Sequence, residues 1–254
     1  MFTYYPPRYL LRRYEILRHV CPAESFLEVG AGGLQLSCEL LNYFTNGKAI
    51  DFSPEAEAIY RSLKPATTKR LSFERTDIAQ LTEKNCYDCV VACEVMEHLE
   101  DDRSFLTQLS GLLKPQGQLI LSVPAHMKFW SVHDDITGHY RRYERAELTE
   151  LLRETGFEHI MIIAYGYPFI NLLRWLRILY ATRQSNEKAR WSKERQTQYS
   201  GINHISDTFH WLSLLINPST ALPANWITRL FNATDLSEGY IAIARKGTSF
   251  CNAA

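Results

Sequence analysis

The sequence predicts an α/β fold built on a doubly wound sheet. Residues 26–34 form an apolar run that breaks into glycines, and an apolar helical segment follows as far as Phe44, which is the pattern of a strand, a tight turn and a helix start. A second apolar run ends at Asp51, about twenty residues further on. Strand-like and helix-like segments then alternate to residue 123, as βα units require.

Length and charge set outer limits. A chain of 254 residues suffices for one sizeable α/β domain with an addition, although hardly for two complete domains. The formal net charge is 0, so no global field attracts nucleic acid or an anionic membrane. The N-terminus lacks a signal-peptide pattern, and no apolar run approaches the ~20 residues that span a bilayer. We predict a cytoplasmic protein, with peripheral contact to a membrane left open.

The chain has 6 cysteines, which raises the question of a metal site. Cys86, Cys89 and Cys93 form a C-x2-C-x3-C run. The apolar pattern around them is that of a strand, in which Cys89 and Cys93 lie ~13 Å apart, too far to bind one metal ion. The remaining cysteines, Cys21, Cys38 and Cys251, are isolated in sequence. We therefore predict reduced thiols.

The glycine turn and two carboxylates indicate the kind of ligand. Gly30 and Gly32 permit unusual φ/ψ values and let a ligand lie against the backbone. Asp51 stands where a doubly wound fold holds ribose hydroxyls. Glu28, two residues before Gly30, would lie close to the pyrophosphate of a dinucleotide, whereas a ligand with sulfonium and ammonium groups tolerates a carboxylate there. An ordinary strand-to-helix turn is the alternative for the glycines.

The run Glu28-Val29-Gly30-Ala31-Gly32, with Asp51, resembles the cofactor site of class I S-adenosylmethionine (SAM) dependent methyltransferases. The resemblance implies a Rossmann-like, seven-stranded sheet with an antiparallel last strand, and SAM as the cofactor. Leu34 departs from the family, which often has glycine at this position. In this part of the chain the resemblance assigns to SAM the residues Glu28, Gly30, Ala31, Gly32, Asp51 and Phe52.

Residues 1–25 are predicted to form an N-terminal helical cap. The apolar residues with helical spacing are Leu10, Leu11, Tyr14, Ile16 and Leu17. In the family such a helix often covers the mouth of the cofactor site, which would bring Tyr4, Tyr5 and Arg8 to the ligand. We prefer the simpler prediction of a helix packed on the edge of the sheet.

Beyond Asp51 a helix and a strand precede another acid. Ser53 and Pro54 open the helix, which runs to about residue 63, because serine is a good N-cap and proline is accepted at the first helical position. Residues 71–75 predict the third strand. Asp77 follows, at the family position that accepts a hydrogen bond from the adenine amino group, and Ile78 adjoins it. The alternative is that Asp77 caps a turn.

Residues 87–93 predict the fourth strand, and Glu94, Glu97 and His98 follow its C-terminal end, where open α/β sheets bind ligands. If the chain turns helical there, the three share one helix face. They resemble the Glu-Val-x-Glu-His segment of small-molecule methyltransferases, including those that act on ubiquinone precursors. The resemblance assigns Glu94 to the cofactor and favours His98 as a base or substrate contact. A divalent cation is the alternative, and we predict none.

The fourth strand also excludes a class of substrate. It lacks the Asn or Asp followed by Pro-Pro and an aromatic residue that DNA amino-methylating enzymes carry, so we predict no DNA partner. Residues 102–113 predict a helix, residues 114–117 a turn and residues 118–123 the fifth strand.

Residues 124–143 are predicted to form an active-site loop, since long loops with histidines, aromatics and arginines at this edge of a sheet are often functional. Its run Gly-His-Tyr-Arg-Arg-Tyr resembles a signature of uncharacterised methyltransferases met near glycan and lipid-glycan genes. His139 is the first choice as general base, ahead of His98. The predicted substrate contacts are Trp130, Tyr140, Arg141 and Arg142. The alternative for either arginine is an internal ion pair with Asp134, Asp135 or Glu144.

The rest of the chain predicts a helix at residues 147–155 closed by Gly156, a sixth strand at residues 158–164 and a last strand at residues 239–245. The predicted units are the cap (1–25), a SAM-binding core (26–165), a helical insertion (166–236) and a last strand with its tail (237–254). The insertion has apolar segments at residues 168–180, 209–216 and 226–231. It is interpreted as a lid, an interface or a membrane-surface element, or as a helical cap buried on the core.

We predict a SAM-dependent methyltransferase that acts on a small-molecule acceptor, and we prefer oxygen as the acceptor atom. An acceptor linked to a lipid or to a glycan is one form of this prediction. One alternative is an NAD(P)-binding oxidoreductase or sugar-nucleotide enzyme, which leaves Glu28 without a role. The other is a non-catalytic SAM-binding interaction module.

Overall fold

The computed structural model of the chain describes residues 6–188 and 217–248. Seven strands form one sheet: β1 (Ala23–Val29), β2 (Phe44–Asp51), β3 (Leu71–Arg75), β4 (Tyr87–Cys93), β5 (Leu113–Pro124), β6 (Phe157–Ala164) and β7 (Gly239–Lys246). Their order across the sheet is β3-β2-β1-β4-β5-β7-β6. The first five strands pair in parallel, whereas β7 is antiparallel to both β5 and β6. The predicted fold class is confirmed.

Helices connect the strands and cover both faces of the sheet. They are α1 (Pro7–His19), α2 (Gln35–Leu40), α3 (Pro54–Arg61), α4 (Pro65–Thr68), α5 (Asp102–Leu112), α6 (Val132–Thr137), α7 (Arg145–Glu154), α8 (Phe169–Lys188) and α9 (Leu222–Arg229). As predicted, Ser53 caps α3, and its hydroxyl accepts a hydrogen bond from the Ala56 amide at 3.2 Å. Both α8 and α9 lie between β6 and β7, in the predicted insertion.

The sheet divides the core into two layers, because successive side chains of a strand point to opposite faces. Leu27 and Val29 of β1 pack in one layer with Leu106 of α5. Phe26 faces the other layer, where it meets Ile16 of α1. Since both faces of the sheet are covered, the central strands carry runs of buried apolar residues, at residues 89–92 of β4 and 119–121 of β5, which is why the sequence shows continuous apolar runs there.

The parallel strands place three carboxylates together at the edge of the sheet that their C-terminal ends form. Val29 pairs with Ile50 on one side and with Ala92 on the other, so β1, β2 and β4 end at the same level. Glu28 is the penultimate residue of β1, Asp51 is the last residue of β2, and Glu94 directly follows β4. Ligands of doubly wound folds bind at this edge, where the strand order reverses.

Two predicted boundaries are wrong. The helix expected to reach Phe44 ends at Leu40, because residues 41–43 close a tight turn and Phe44 already belongs to β2, with its ring 5.2 Å from that of Phe26. The expected turn at residues 114–117 lies inside β5, where the pairing with β4 shifts register and Gln116 has a φ of 61°. Both differences reflect strand pairing over a long sequence distance.

Several predictions fall on residues outside the described ranges. They concern Tyr4, Tyr5, Cys251 and the apolar segment at residues 209–216. Within residues 6–188 and 217–248, no helix combines the length and the apolar character needed to cross a bilayer.

Candidate functional site

The glycine turn after β1 is built around Asp51. One oxygen of the Asp51 carboxylate accepts a hydrogen bond from the Gly32 amide and the other accepts one from the Ser53 amide, both at 2.8 Å. Gly30 and Gly32 have φ values of 71° and 47°, in the left-handed region that favours glycine. Each carboxylate oxygen keeps a second lone pair, so Asp51 can hold the turn and still accept hydrogen bonds from ribose hydroxyls.

Leu34 adopts the left-handed backbone conformation that favours glycine. Its φ is 59°, which costs a non-glycine residue about 1–2 kcal/mol. The side chain is fully buried and packs with the layer that contains Phe26, and this packing offsets the backbone strain. The turn therefore keeps its left-handed geometry in spite of the replacement.

Glu28 is a buried acid with a weakly compensated charge. Only 3% of the residue is exposed, and its carboxylate accepts a hydrogen bond from the Ser37 hydroxyl. Burial raises the pKa of Glu28 to about 7, against the opposing effects of Ser37 and Arg12. A cationic ligand beside this carboxylate would stabilise its charged form. The Glu28 carboxylate thus fits the sulfonium and ammonium groups of SAM and would repel a pyrophosphate in the same place.

Four further residues that were predicted to bind the cofactor follow the ends of β1, β2 and β3: Ala31, Phe52, Asp77 and Ile78. Phe52 is 41% exposed immediately after Asp51, and Ala31 and Ile78 are buried. The Asp77 carboxylate accepts a hydrogen bond from the Ala79 amide at 2.8 Å and so caps the turn at Ile78–Gln80. This is the capping role that the sequence offered as the alternative, and adenine contact by Asp77 stays a prediction.

Glu94 is not part of a helix, so the helix face that it would share with Glu97 and His98 if the chain turned helical there does not form. Its φ of 55° sends the chain away from β4, and only the short turn Met96–His98 is helical. The Glu94 carboxylate pairs with the guanidinium groups of Arg8 at 2.9 Å and Arg12 at 3.5 Å, both on α1. Burial alone would raise the pKa of Glu94, but these two charges lower it to about 2. A cofactor contact by Glu94 stays a prediction.

Glu97, His98 and His139 converge at the same edge. Their potential ligand atoms lie within 4.8 Å of one another, and the rings of His98 and His139 are 4.7 Å apart. Glu97 is fully buried, and neither carboxylate oxygen has a hydrogen-bond partner among the described residues. Burial, followed by the charge of Glu94, raises the pKa of Glu97 well above its ordinary value. One carboxylate and two imidazoles are a donor set that can hold a divalent metal.

The two candidate bases differ in their surroundings. His139 Nδ1 lies 2.9 Å from an oxygen of Asp134, whose carboxylate is also held by two nitrogens of Arg142 at 2.8 and 3.0 Å. Burial alone would raise the pKa of Asp134, but these partners keep it well below its usual range. Burial and the nearby His139 lower the pKa of His98 to about 3, which makes it the weaker base.

The predicted substrate residues have mixed surroundings. Arg142 is buried in the ion pair with Asp134, which is the internal pairing that the sequence offered as its alternative. Arg141 pairs with Asp102 at 2.8 Å. The Trp130 indole donates a hydrogen bond to Asp135 at 3.0 Å. The Tyr140 amide donates one to the Glu97 carbonyl at 2.8 Å, which connects the loop to the cluster that contains Glu97. Substrate contact by any of the four stays a prediction.

Sequence reasoning missed a second charged cluster next to this site. Glu238, the residue before β7, is fully buried and pairs with Arg177 and, at 3.6 Å, with Arg174, both on α8. The three-residue spacing of the arginines on a predicted helix was a visible signal, since such residues share a face. Their carboxylate partner was not identifiable without the fold.

Comparison with known proteins gives consistent matches. Residues 8–161 match the family described as a methyltransferase domain. The chain is 30% identical over 160 residues to a probable S-adenosylmethionine-dependent methyltransferase of Mycolicibacterium smegmatis, covering 59% of this chain and 60% of that protein. It is 32% identical over 108 residues to the mitochondrial ubiquinone biosynthesis O-methyltransferase of Schizosaccharomyces pombe, covering 41% and 39%. The chain thus spans less than two thirds of either relative.

A solved structure shares the fold. The structure of a putative methyltransferase from Bacillus halodurans superposes with a TM-score of 0.58, covering 93% of this chain and 99% of that one at 16% identity. At this identity the likeness concerns the fold alone.

Proposed function

The chain belongs to the methyltransferase-domain family, and from this premise we propose that it is an enzyme that transfers a methyl group from SAM to a small-molecule acceptor. The observation that carries the proposal is the buried Glu28 carboxylate beside the left-handed turn at Gly30 and Gly32. A buried acid without a full counter-charge is costly, and a cationic ligand removes that cost. Phosphate-containing cofactors would add a second negative charge at the same place.

The residues that would hold the cofactor are those around the ends of β1 and β2. Glu28 faces its cationic groups, the turn at Gly30 and Gly32 gives it room, and Asp51 accepts from its ribose hydroxyls. Phe52 offers an exposed ring for the adenine. When bound, SAM supplies a methyl group on a positively charged sulfur, which is already a strong electrophile.

The chain's own contribution to the chemistry is position and proton transfer. The hydrogen bond from His139 Nδ1 to Asp134 leaves the lone pair on Nε2, which lies on the side of Glu97. A hydroxyl of the acceptor would give its proton to this nitrogen as its oxygen attacks the methyl group. Such base catalysis contributes ~10² to 10⁴ in rate, and alignment of the reactants contributes ~7 to 11 kcal/mol.

Oxygen is the proposed acceptor atom. A hydroxyl needs a base to become a good nucleophile, and the Asp134–His139 pair provides one. The name of the ubiquinone biosynthesis relative, an O-methyltransferase, supports this assignment.

Earlier predictions of a cytoplasmic location and of membrane contact through residues 166–236 stay predictions. Apolar side chains are exposed on α8 and α9, Trp175 and Trp226 among them, and they support a contact of these helices with an apolar surface such as a membrane.

Calorimetry and a methyl-transfer assay test the proposal. SAM and S-adenosylhomocysteine should bind the full chain, and NADH should not, because only the first two bring a cation to Glu28. Incubation with methyl-labelled SAM and a panel of phenols and glycosides should then transfer label to a hydroxyl oxygen. Binding of NADH in place of SAM would support the oxidoreductase alternative, and SAM binding without any transfer would support the interaction module.

A further inference from the structure

Two buried carboxylates are each shared by two arginines. Glu94 is paired with Arg8 and Arg12, and Glu238 is paired with Arg174 and Arg177. An arginine side chain stays protonated in proteins, so one carboxylate offsets only one of its two guanidinium partners. Each of these groups of three therefore carries one positive charge in excess.

Tyr165 joins the two groups, because its hydroxyl accepts a hydrogen bond from Arg8 Nε at 3.1 Å and its amide donates one at 3.1 Å to the carbonyl of Gly239, the residue after Glu238. Burial lowers the pKa of Arg177, and the charge of Arg8 lowers it further, while Glu238 acts in the opposite direction. Glu238 in turn is near enough to Arg8 to favour its charged form. Like charges in a region of low dielectric repel strongly unless an anion lies between them.

His133 links this cationic region to the candidate base. Its ring lies 6.5 Å from the ring of His139. Burial, and then the charge of Arg177, lower the pKa of His133 to about 3, so its ring is neutral near pH 7. A neutral imidazole can donate one N–H to an anion without adding to the local charge.

Hydrogen-bond donors in this region lack acceptors. The Nε atoms of Arg174 and Arg177 are buried and have no partner among the described residues. Arg174 Nε is 3.6 Å from Glu238 Oε1, which is too long for a hydrogen bond, and this oxygen also has no hydrogen-bond donor among the described residues. The remaining contacts of Arg174 hold it in place, since it donates to the Phe129 carbonyl at 2.9 Å and lies over the Phe129 ring. A buried donor without an acceptor is energetically unfavourable, so an acceptor that reaches it is stabilised.

We infer that Arg174 and Arg177 bind an anionic group of the methyl acceptor, a phosphate or a carboxylate. This inference rests on the proposed function and adds the acceptor's charge to it. Both arginines lie in the insertion (166–236) and Glu238 directly precedes β7, so all three lie outside residues 8–161, which match the methyltransferase family. An oxyanion there would accept from the free Nε–H groups and offset the excess charge.

Titration calorimetry with inorganic phosphate and with acetate tests the site, using the full chain saturated with S-adenosylhomocysteine. At least one of the two anions should bind the parent protein, and the better one identifies the class. Arg174→Gln should weaken its binding about tenfold, because a hydrogen bond to a charged group is lost. This variant leaves Arg177 and Glu238 as a matched pair, which protects the fold.

Glu238→Gln should have the opposite effect. Without the carboxylate that competes for the two guanidinium groups, the anion should bind more tightly than to the parent protein. Opposite shifts in the two variants separate a specific site from general damage to the fold. Arg153→Gln, a change at a side chain that is 63% exposed on α7, is the matched control and should leave anion binding unchanged.

The outcomes separate this inference from the proposed function. If S-adenosylhomocysteine binds but neither anion shows saturation at about 50 mM, the anion site is wrong and the proposed function stands. Equal affinity of the parent protein, Arg174→Gln and Glu238→Gln for the anion would also overturn the site. Failure of S-adenosylhomocysteine to bind would overturn the proposed function, and with it the inference.

Discussion

Replacing Glu28 with glutamine is expected to weaken cofactor binding and to stabilise the ligand-free protein. Burial raises the pKa of Glu28 from its ordinary 4.5 to about 7. The folded protein thus holds this proton more tightly than the unfolded chain does, so the free energy of unfolding falls as the pH rises through this interval and stays lowered above it. The shift corresponds to roughly 3 kcal/mol at pH 8. Glutamine, which is neutral at every pH, removes this cost.

Cofactor binding should show the reverse dependence on pH. If SAM binds the ionised carboxylate, a pKa near 7 makes the affinity of the parent protein rise roughly tenfold between pH 6 and pH 8. Glu28→Gln should bind SAM more weakly at pH 8 and lose most of this pH dependence. Calorimetric titration with SAM measures the affinity, and urea unfolding of the ligand-free protein measures the stability.

The matched control is Glu24→Gln, since Glu24 lies on the same strand but is exposed. It should change neither SAM affinity nor stability noticeably, because exposed charges interact weakly. An affinity that is flat between these pH values in the parent protein, or a Glu28→Gln variant that binds SAM as tightly as the parent, would refute the role of Glu28. A variant that loses both affinity and stability would indicate a structural role instead.

The strands were the most predictable part of the fold. The predicted bounds of β3 (Leu71–Arg75) and β4 (Tyr87–Cys93) agree with the structure. β4 lies in the middle of the sheet and is buried on both faces, so its apolar run is continuous and ends where the chain leaves the sheet. The left-handed turn at Gly30 and Gly32 was equally visible, since few residues other than glycine adopt it.

The charge pairings at the site were not predictable from local sequence. The sequence placed Glu94 on one helix face with Glu97 and His98 only if the chain turned helical there, and in the structure Glu94 pairs with Arg8, which lies 86 positions earlier. That contact depends on where α1 packs against the sheet. The spacing of residues in the local sequence carries no information about this packing. The left-handed backbone at Glu94 is equally unexpected for a non-glycine residue, because it is maintained by tertiary contacts.

The active-site loop shows the same limit. The sequence identified His139 as a candidate base and named Asp134 only as a partner for the arginines. In the structure the Asp134 carboxylate lies between His139 and Arg142 and is hydrogen-bonded to both. Residues 131–134 form the capping box that opens α6, and this local structure fixes where Asp134 lies. A Ser-x-x-Asp pattern was therefore available as a signal for the helix, though not for its histidine partner.

Two predictions concern the chemistry at this edge of the sheet. His139→Ala should lower the turnover number ~10² to 10⁴-fold and leave SAM affinity unchanged, because the base acts on the acceptor alone. His159→Ala, at an exposed position on β6, should leave both unchanged, and unimpaired turnover in His139→Ala would contradict the assignment. Dialysis against a chelator should not reduce turnover. The methyl group on the sulfonium of SAM is already a strong electrophile and needs no Lewis acid, so the proposed reaction gives the cluster of Glu97, His98 and His139 no metal-dependent step. If chelation abolishes turnover and Mg²⁺ or Mn²⁺ restores it, those three side chains are ligands and the prediction of a metal-independent reaction is wrong.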